Sequence, residues 1–294
     1  MRGVHPAVLT HFDDSLQVDH EAVAAEVERL IAAGVHGVVA CGTMGEATSL
    51  SAAERAEVLR TVVTAAGGRV PVCAGISAPS AAQAIAHARD AVAASADSLM
   101  TLPPYLYRAD RRELLEFFGA IASATDLPLM VYNNPEATGI DMAPDLLAEL
   151  VGTLPSVTAV KETSGDARRI ADLLRRVDEA DILVGGDDWA LEGCLIGAAG
   201  WVAGVAVVLP EECVRLWELG SGGPLQEARS LYASLLPMAR FDMTAKLVQY
   251  FKAALDELGI GGGPCRPPRL PLNDGELGQL RDALATASSA ARMR

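Results

Sequence analysis

The chain has no surplus of positive charge. Its 24 Lys and Arg stand against 38 Asp and Glu, a formal net charge of -14, and the pI is near 4.8. A surface of that sign repels phosphate backbones and anionic membranes, so neither is expected as a partner. The densest basic group, Arg168, Arg169, Arg175 and Arg176, alternates with Asp166, Asp172 and Asp178 and reads as a solvated helix face. No run approaches the 18 apolar residues of a membrane span, and the N-terminus lacks the apolar core of a secretory signal. The five cysteines are an odd number with no CxxC pair, which excludes a disulfide framework and points to packed thiols in a reducing, cytoplasmic setting. His5, His11, His20, His36 and His87 show no ligand spacing such as HExxH, and no Walker-type GxxxxGK[ST] occurs, so neither a metal nor a nucleotide loop is expected.

What is present is half hydrophobic, with 21% charged residues. That is too apolar for intrinsic disorder, and size scaling predicts roughly 12,000 Å² of folded surface. Short apolar runs alternate with longer amphipathic periods. The runs at 6–10, 37–42, 70–76, 98–102, 128–132, 157–161, 182–185 and 201–206 carry little polar alternation, as parallel strands buried on both faces do. Between them, Val23, Val27, Leu30 and Ile31 lie on one helix face that Gly34 ends. Ser51 with Glu54 forms a capping box, and Gly67–Gly68 closes that helix. Further helices fit 80–94, 110–124, 143–151, 166–177, 189–198 and 211–219. Eight strand–helix units by about residue 220 are the pattern of a (β/α)8 TIM barrel. An open doubly wound sheet would carry a Gly-rich loop after its first strand, which is missing. Residues 1–220 are thus read as the barrel. Residues 221–294 are read as a C-terminal helical extension of about three helices, broken at Pro237 and at 261–264.

A barrel of this kind works at the C-terminal ends of its strands. Lys161 closes an apolar strand there. Burial disfavours its ammonium form, and a free amine attacks carbonyls to give a Schiff base, an electron sink for making or breaking a neighbouring bond. The competing reading is a lysine that snorkels to solvent or pairs with Glu162. Tyr132 ends another strand and suits a proton carrier, or else a buried tyrosine with one hydrogen bond. Thr43 sits in a Gly-bounded turn whose amides suit a carboxylate, or in an ordinary strand-to-helix turn. Asp187 and Asp188 read as helix-capping and loop hydrogen-bonding residues. Gly193, Gly197, Gly200 and Gly204 read as close-packing positions.

The segments GTMGEATSLS (42–51), YNNPEATG (132–139), VKETSGD (160–166), GGDD (185–188) and GAAGWVAG (197–204) occur in the order and spacing of the dihydrodipicolinate synthase / N-acetylneuraminate lyase family. The resemblance spans nearly the whole chain. It implies a homo-oligomeric TIM barrel, a dimer or tetramer, acting as a Schiff-base lyase or aldolase on 2-oxo acids with no metal or other cofactor. By motif, Lys161 would form the imine and Tyr132 would donate and accept protons. Thr43 would relay protons and, with the amide of Met44, help hold the substrate carboxylate beside Gly42. Val202 would turn its carbonyl to the site.

The departures bear on substrate. Synthases of this family carry GTTGE, and here the second threonine is Met44. They carry an arginine in YNxPxRTG that binds a second carboxylate, and here Ala137 stands in its place, removing a bidentate fork. Their second tyrosine, which reaches across a subunit interface, falls at Leu106. Tyr107, or Tyr105, is the candidate to replace it. LPPYLY (102–107), VKETSGDARRI (160–170), KLVQYFK (246–252) and RPPRLPL (266–272) resemble the branch of pyrroline-4-hydroxy-2-carboxylate deaminases. Alternatives are condensation of pyruvate with an aldehyde, cleavage or dehydration of a 2-keto-3-deoxy sugar acid, and a non-catalytic binder of a 2-oxo acid.

Overall fold

The structure, a computed structural model, describes residues 1–291. Its strands are β1 (Gly3–Pro6), β2 (Val38–Ala40), β3 (Val72–Gly75), β4 (Ser98–Thr101), β5 (Leu129–Asn133), β6 (Val157–Glu162), β7 (Asp181–Val184) and β8 (Gly200–Ala203). They form one parallel sheet in the order β1-β8-β7-β6-β5-β4-β3-β2. Ala7 bridges Val39 in parallel and the Val8 N–H donates to the Val39 carbonyl at 2.9 Å, so the two ends of that order meet and the sheet closes. The helices between strands are α1 (His20–Ala32), α2 (Ala52–Ala66), α3 (Ala81–Ala93), α4 (Arg111–Ala122), α5 (Pro135–Thr138), α6 (Pro144–Thr153), α7 (Arg168–Leu174), α8 (Ala190–Ile196) and α9 (Pro210–Gly222). This is a (β/α)8 barrel, as the sequence pattern predicts.

Local chemistry explains the boundaries. The Ser51–Glu54 capping box opens α2 and Gly67, at φ 56°, ends it. Asp110 and Glu113 make a second capping box on α4, and Asp19 caps α1. These side chains satisfy amide donors that have no partner inside the helix. The accessible surface, 12,334 Å², is close to the size expectation.

Two apolar layers result. Val39, Cys73, Met100, Leu102, Met130, Tyr132, Ala159, Leu183 and Val202 fill the barrel interior, and a larger cluster lies between strands and helices. Side chains alternate along a strand, so Ala159 inside puts Lys161 inside, and Met130 does the same for Tyr132.

Four boundaries differ from expectation. The first strand is Gly3–Pro6, not 6–10. Pairing with β8 in the register Gly3↔Gly200 to Pro6↔Ala203 sets it, and beyond Pro6 the chain turns to bridge β2. The last strand stops at Ala203, because the Asp187 carboxylate accepts the N–H groups of Gly204 and Val205 and pulls the chain into a 3-10 turn over Val205–Val207. The helix expected at 166–177 is only Arg168–Leu174. Finally, Pro237 breaks nothing at its own position. Helix α10 (Leu225–Ala239) runs through it and ends two residues later, giving up only the one bond that an N–H at this position would make to the Ala233 carbonyl.

Helix α10 packs on α9 and on α12 (Asp274–Ala291), which also contacts α11 (Leu247–Glu257). The 3-10 turn Arg240–Met243, between α10 and α11, sits against the turn Asp187–Trp189 at the end of β7. The extension therefore reaches the end of the barrel at which the strands' C-termini lie. Cys41, Cys73, Cys194, Cys213 and Cys265 are free thiols, and all but Cys265 are buried.

Candidate active site

At the C-terminal mouth of the barrel lies a cavity of about 270 Å³. Lys161, Tyr132, Thr43, Gly42, Met44 and Val202 all line it. Six of the seven residues singled out from sequence thus come together. The seventh, Tyr107, does not line it. It is 52% exposed on the loop after β4, beside Leu106 at 90%.

Lys161 is 6% exposed. Its Nζ stands over the Tyr132 ring, 4.0 Å from the centroid, because the two residues pair directly across β5 and β6. It forms no ion pair among the described residues. Glu162 lies on the other face of β6, where it accepts from Asn133 Nδ2 at 3.0 Å and from the Ser164 N–H at 2.6 Å, with Arg169 at 3.7 Å. Burial raises the Glu162 carboxyl. The Lys161–Glu162 pair considered from sequence is therefore not formed. Gly185 makes room for the lysine: a Cβ there would lie 2.7 Å from Lys161 Cε and 1.7 Å from Thr163 Oγ1. No side chain fits at that distance.

The Tyr132 hydroxyl accepts from Asn134 Nδ2 at 2.9 Å. Among the described residues, no side-chain hydrogen bond joins Thr43 to Tyr132. The Thr43 turn is tied at its ends, Glu46 N–H to Thr43 O at 3.1 Å and Ala47 N–H to Gly42 O at 3.3 Å. The amides of Thr43 and Met44 donate to no protein acceptor among the described residues, which leaves them open to an oxyanion. Glu46 anchors the turn from behind. It is fully buried at φ 48° and pairs with Lys252 at 2.8 Å.

Sequence reasoning missed Thr163, Asn134, Asp242 and Thr244, all of which line the cavity. Thr163 lies two residues after Lys161, on the inward parity, and that signal was available. Asp242 and Thr244 come from the extension and carried none. Asp187 makes loop hydrogen bonds, as expected, to Trp201 Nε1 at 2.9 Å and Gly204 N–H at 3.0 Å. No side chain caps α8, so the helix-capping half of that reading fails. Burial and the neighbouring Asp242 push the Asp187 carboxyl well up. Among the described residues no group of three His, Cys, Asp or Glu is placed to hold a metal ion.

The sequence model described as the dihydrodipicolinate synthetase family matches residues 1–287. The chain belongs to that family. It is a family of lyases, and its members resemble this chain end to end. A 4-hydroxy-tetrahydrodipicolinate synthase of Methanothrix thermoacetophila is 34% identical, covering 98% of this chain and 97% of its own. A DapA-like lyase of Halobacterium salinarum is also 34% identical, over 97% and 93%. The solved 4-hydroxy-tetrahydrodipicolinate synthase of Methylacidiphilum fumariolicum superposes with a TM-score of 0.95 at 29% identity, covering 100% of this chain and 98% of that one. Among the described residues, no helix is long and apolar enough to cross a membrane.

Proposed function

We propose that this protein is a Schiff-base-forming lyase or aldolase that holds a 2-oxo acid on Lys161. The observation that carries the reading is the placement of the Lys161 amine: buried, in no salt bridge among the described residues, over the face of Tyr132 and open to a cavity. An amine so placed attacks the keto carbon, and the imine draws electrons from the adjacent bond. Tyr132 serves proton transfer during imine formation, and the free amides of Thr43 and Met44 receive the substrate carboxylate. Gly42 and Val202 complete the wall. The active form is a homo-oligomer, a dimer or tetramer, working in the cytoplasm without a cofactor. A monomer by light scattering at micromolar concentration would contradict that assembly.

The lining chemistry favours one branch of the reaction. Lys161 is the cation of the cavity wall, and the acids are Glu136 and Asp242. An aldehyde partner with its own carboxylate meets two acids and no guanidinium, since Ala137 stands where an arginine would bind it. Cleavage of a 2-oxo acid whose far end is uncharged or hydroxylated fits better. The second reading, condensation of pyruvate with an aldehyde, has the names of the relatives in its favour. The deaminase reading draws no support from them.

The test is intact mass after borohydride reduction with pyruvate. An adduct in the parent protein and none in Lys161→Ala is expected. An adduct that survives Lys161→Ala, or no adduct with any 2-oxo acid, overturns the reading.

A further inference from the structure

A second cavity, of about 330 Å³, lies in the C-terminal extension and shares no lining residue with the site around Lys161. One wall is α11, whose residues Gln249, Lys252, Ala253 and Asp256 share a face at helical spacing. The other is formed by residues of the segment 263–272, with Leu277 of α12. That segment is tied on both sides, so it does not collapse onto the helix. The Gly262 N–H donates to Asp256 Oδ1 at 2.7 Å, and the Arg266 guanidinium donates to the Leu16 carbonyl at 2.8 Å and pairs with Glu54 at 2.5 Å. Asn273 Oδ1 accepts the Glu276 N–H at 3.0 Å and fixes the other end at the start of α12. Gln249, on the α11 wall, is 8% exposed, and its Oε1 is buried with no hydrogen-bond partner among the described residues. A buried carbonyl oxygen left without a donor is costly and calls for a partner. The charged side chains of the wall do not supply one, being engaged elsewhere. Lys252 pairs with Glu46 at 2.8 Å and donates to the Pro264 carbonyl at 2.8 Å, and Arg269 donates to Glu46 at 3.4 Å and to Ser49 at 3.2 Å. Burial pushes the Cys265 thiol up to about 11, so it stays neutral. Ala253, Leu270, Leu272 and Leu277 make the remaining surface apolar, and Leu270, 74% exposed, opens it to solvent.

We propose that this cavity is a second binding site, and that it takes a small uncharged molecule with an apolar body and a carboxamide group. The ligand's amide N–H donates to Gln249 Oε1, and its carbonyl accepts from Gln249 Nε2, the reciprocal pairing of two amides. The apolar body removes the leucine surface from water. A charged ligand gains little here. Lys252 and Arg269 already have acceptors, and Asp256 is exposed, where an ion pair is worth little. The volume lies near the lower end for small-molecule sites and suits a ligand of about ten non-hydrogen atoms. The site goes beyond the lyase reading and does not depend on it. Lys252 and Arg269 are also the side chains that hold Glu46. An occupant therefore lies one side chain away from the anchor of the turn that carries Thr43.

The experiment titrates the full chain, by ligand-observed NMR, with benzamide and with acetophenone, which has the same shape with a methyl in place of the amide nitrogen. Benzamide is expected to saturate with a Kd of about 1 mM, and acetophenone to bind at least about tenfold more weakly, because it leaves Gln249 Oε1 unpaired. Gln249→Leu weakens benzamide at least about tenfold and removes the discrimination between the two probes. Ala253→Phe fills the cavity and abolishes binding of both, and it decides the matter if the leucine variant does not fold. Benzamide that fails to saturate by about 20 mM overturns the proposal. So does equal binding of the two probes to the parent, or benzamide binding that survives either variant within about threefold. Repeating the titration in pyruvate separates the two cavities. An apparent benzamide Kd that rises in proportion to pyruvate would place the amide beside Lys161 and overturn the second site.

Discussion

Lys161 owes its position to strand parity. One residue earlier or later on β6 it would lie between strand and helix, where Val160 and Glu162 are. Ala159 inside and the direct pairing with Tyr132 put the amine in the barrel mouth, and Gly185 leaves it space. The same scale decides partner choice. Ala137 lines the cavity beside Glu136. Ala137→Arg restores a planar fork that binds carboxylates. We expect this variant to lower KM for a carboxylate-bearing aldehyde in condensation with pyruvate at least about tenfold, a difference of about 1.4 kcal/mol. Steady-state kinetics with aspartate semialdehyde check it, and an unchanged KM would show that another group already holds that carboxylate.

At the scale of elements, the turn after β2 is held by the C-terminal extension. Glu46 accepts from Lys252 Nζ on α11, from the Arg266 N–H at 3.1 Å and from Arg269 at 3.4 Å. Lys252 also donates to the Pro264 carbonyl and lies 4.6 Å over the Phe12 ring, with Arg266 at 4.4 Å over that ring. Both Glu46 and Lys252 are buried, so removing one charge strands the other in a low dielectric. Glu46→Gln is expected to cost about 3 kcal/mol of unfolding free energy in urea titration. Because Glu46 sits three residues from Thr43, the variant should also weaken substrate binding more than it slows the bound complex. An unfolding curve identical to the parent's would show that the network is dispensable. The displaced first strand belongs to this scale too: residues 7–10 are apolar enough to read as strand, but pairing partners decide register, and β8 offers its partners to Gly3–Pro6.

Across the whole molecule, acid stability follows from a buried imidazole at the opposite end of the barrel. His5 is 1% exposed, its Nε2 contacts the Arg2 carbonyl at 2.9 Å and its Nδ1 has no partner. Burial pushes its pKa down to about 4. The folded state keeps this histidine neutral while the unfolded chain takes up a proton below pH 6.5. Its contribution to stability is therefore full above 6.5 and is lost as pH falls toward 4, by about 3 kcal/mol in all. Urea titrations from pH 7 to 4 on the parent and on His5→Gln should show that extra loss in the parent. Parallel pH dependences would refute it.

The sequence by itself determined the architecture and most of the site. Eight apolar runs separated by capped amphipathic helices admit few closures other than a barrel, and strand-end positions mark Lys161, Tyr132 and Thr43, to which the family resemblance adds Gly42, Met44 and Val202. These signals are local, carried by spacing of a few residues. Asp242, Thr244 and the Glu46–Lys252 link depend on contacts between segments about 40 to more than 200 positions apart, and no local periodicity encodes such contacts. The outward turn of Tyr107 and the unbroken helix through Pro237 were likewise decided only when neighbouring elements packed. Chain spacing limits which residues can share a strand face; which distant side chains meet in the cavity is set by how the extension docks on the barrel.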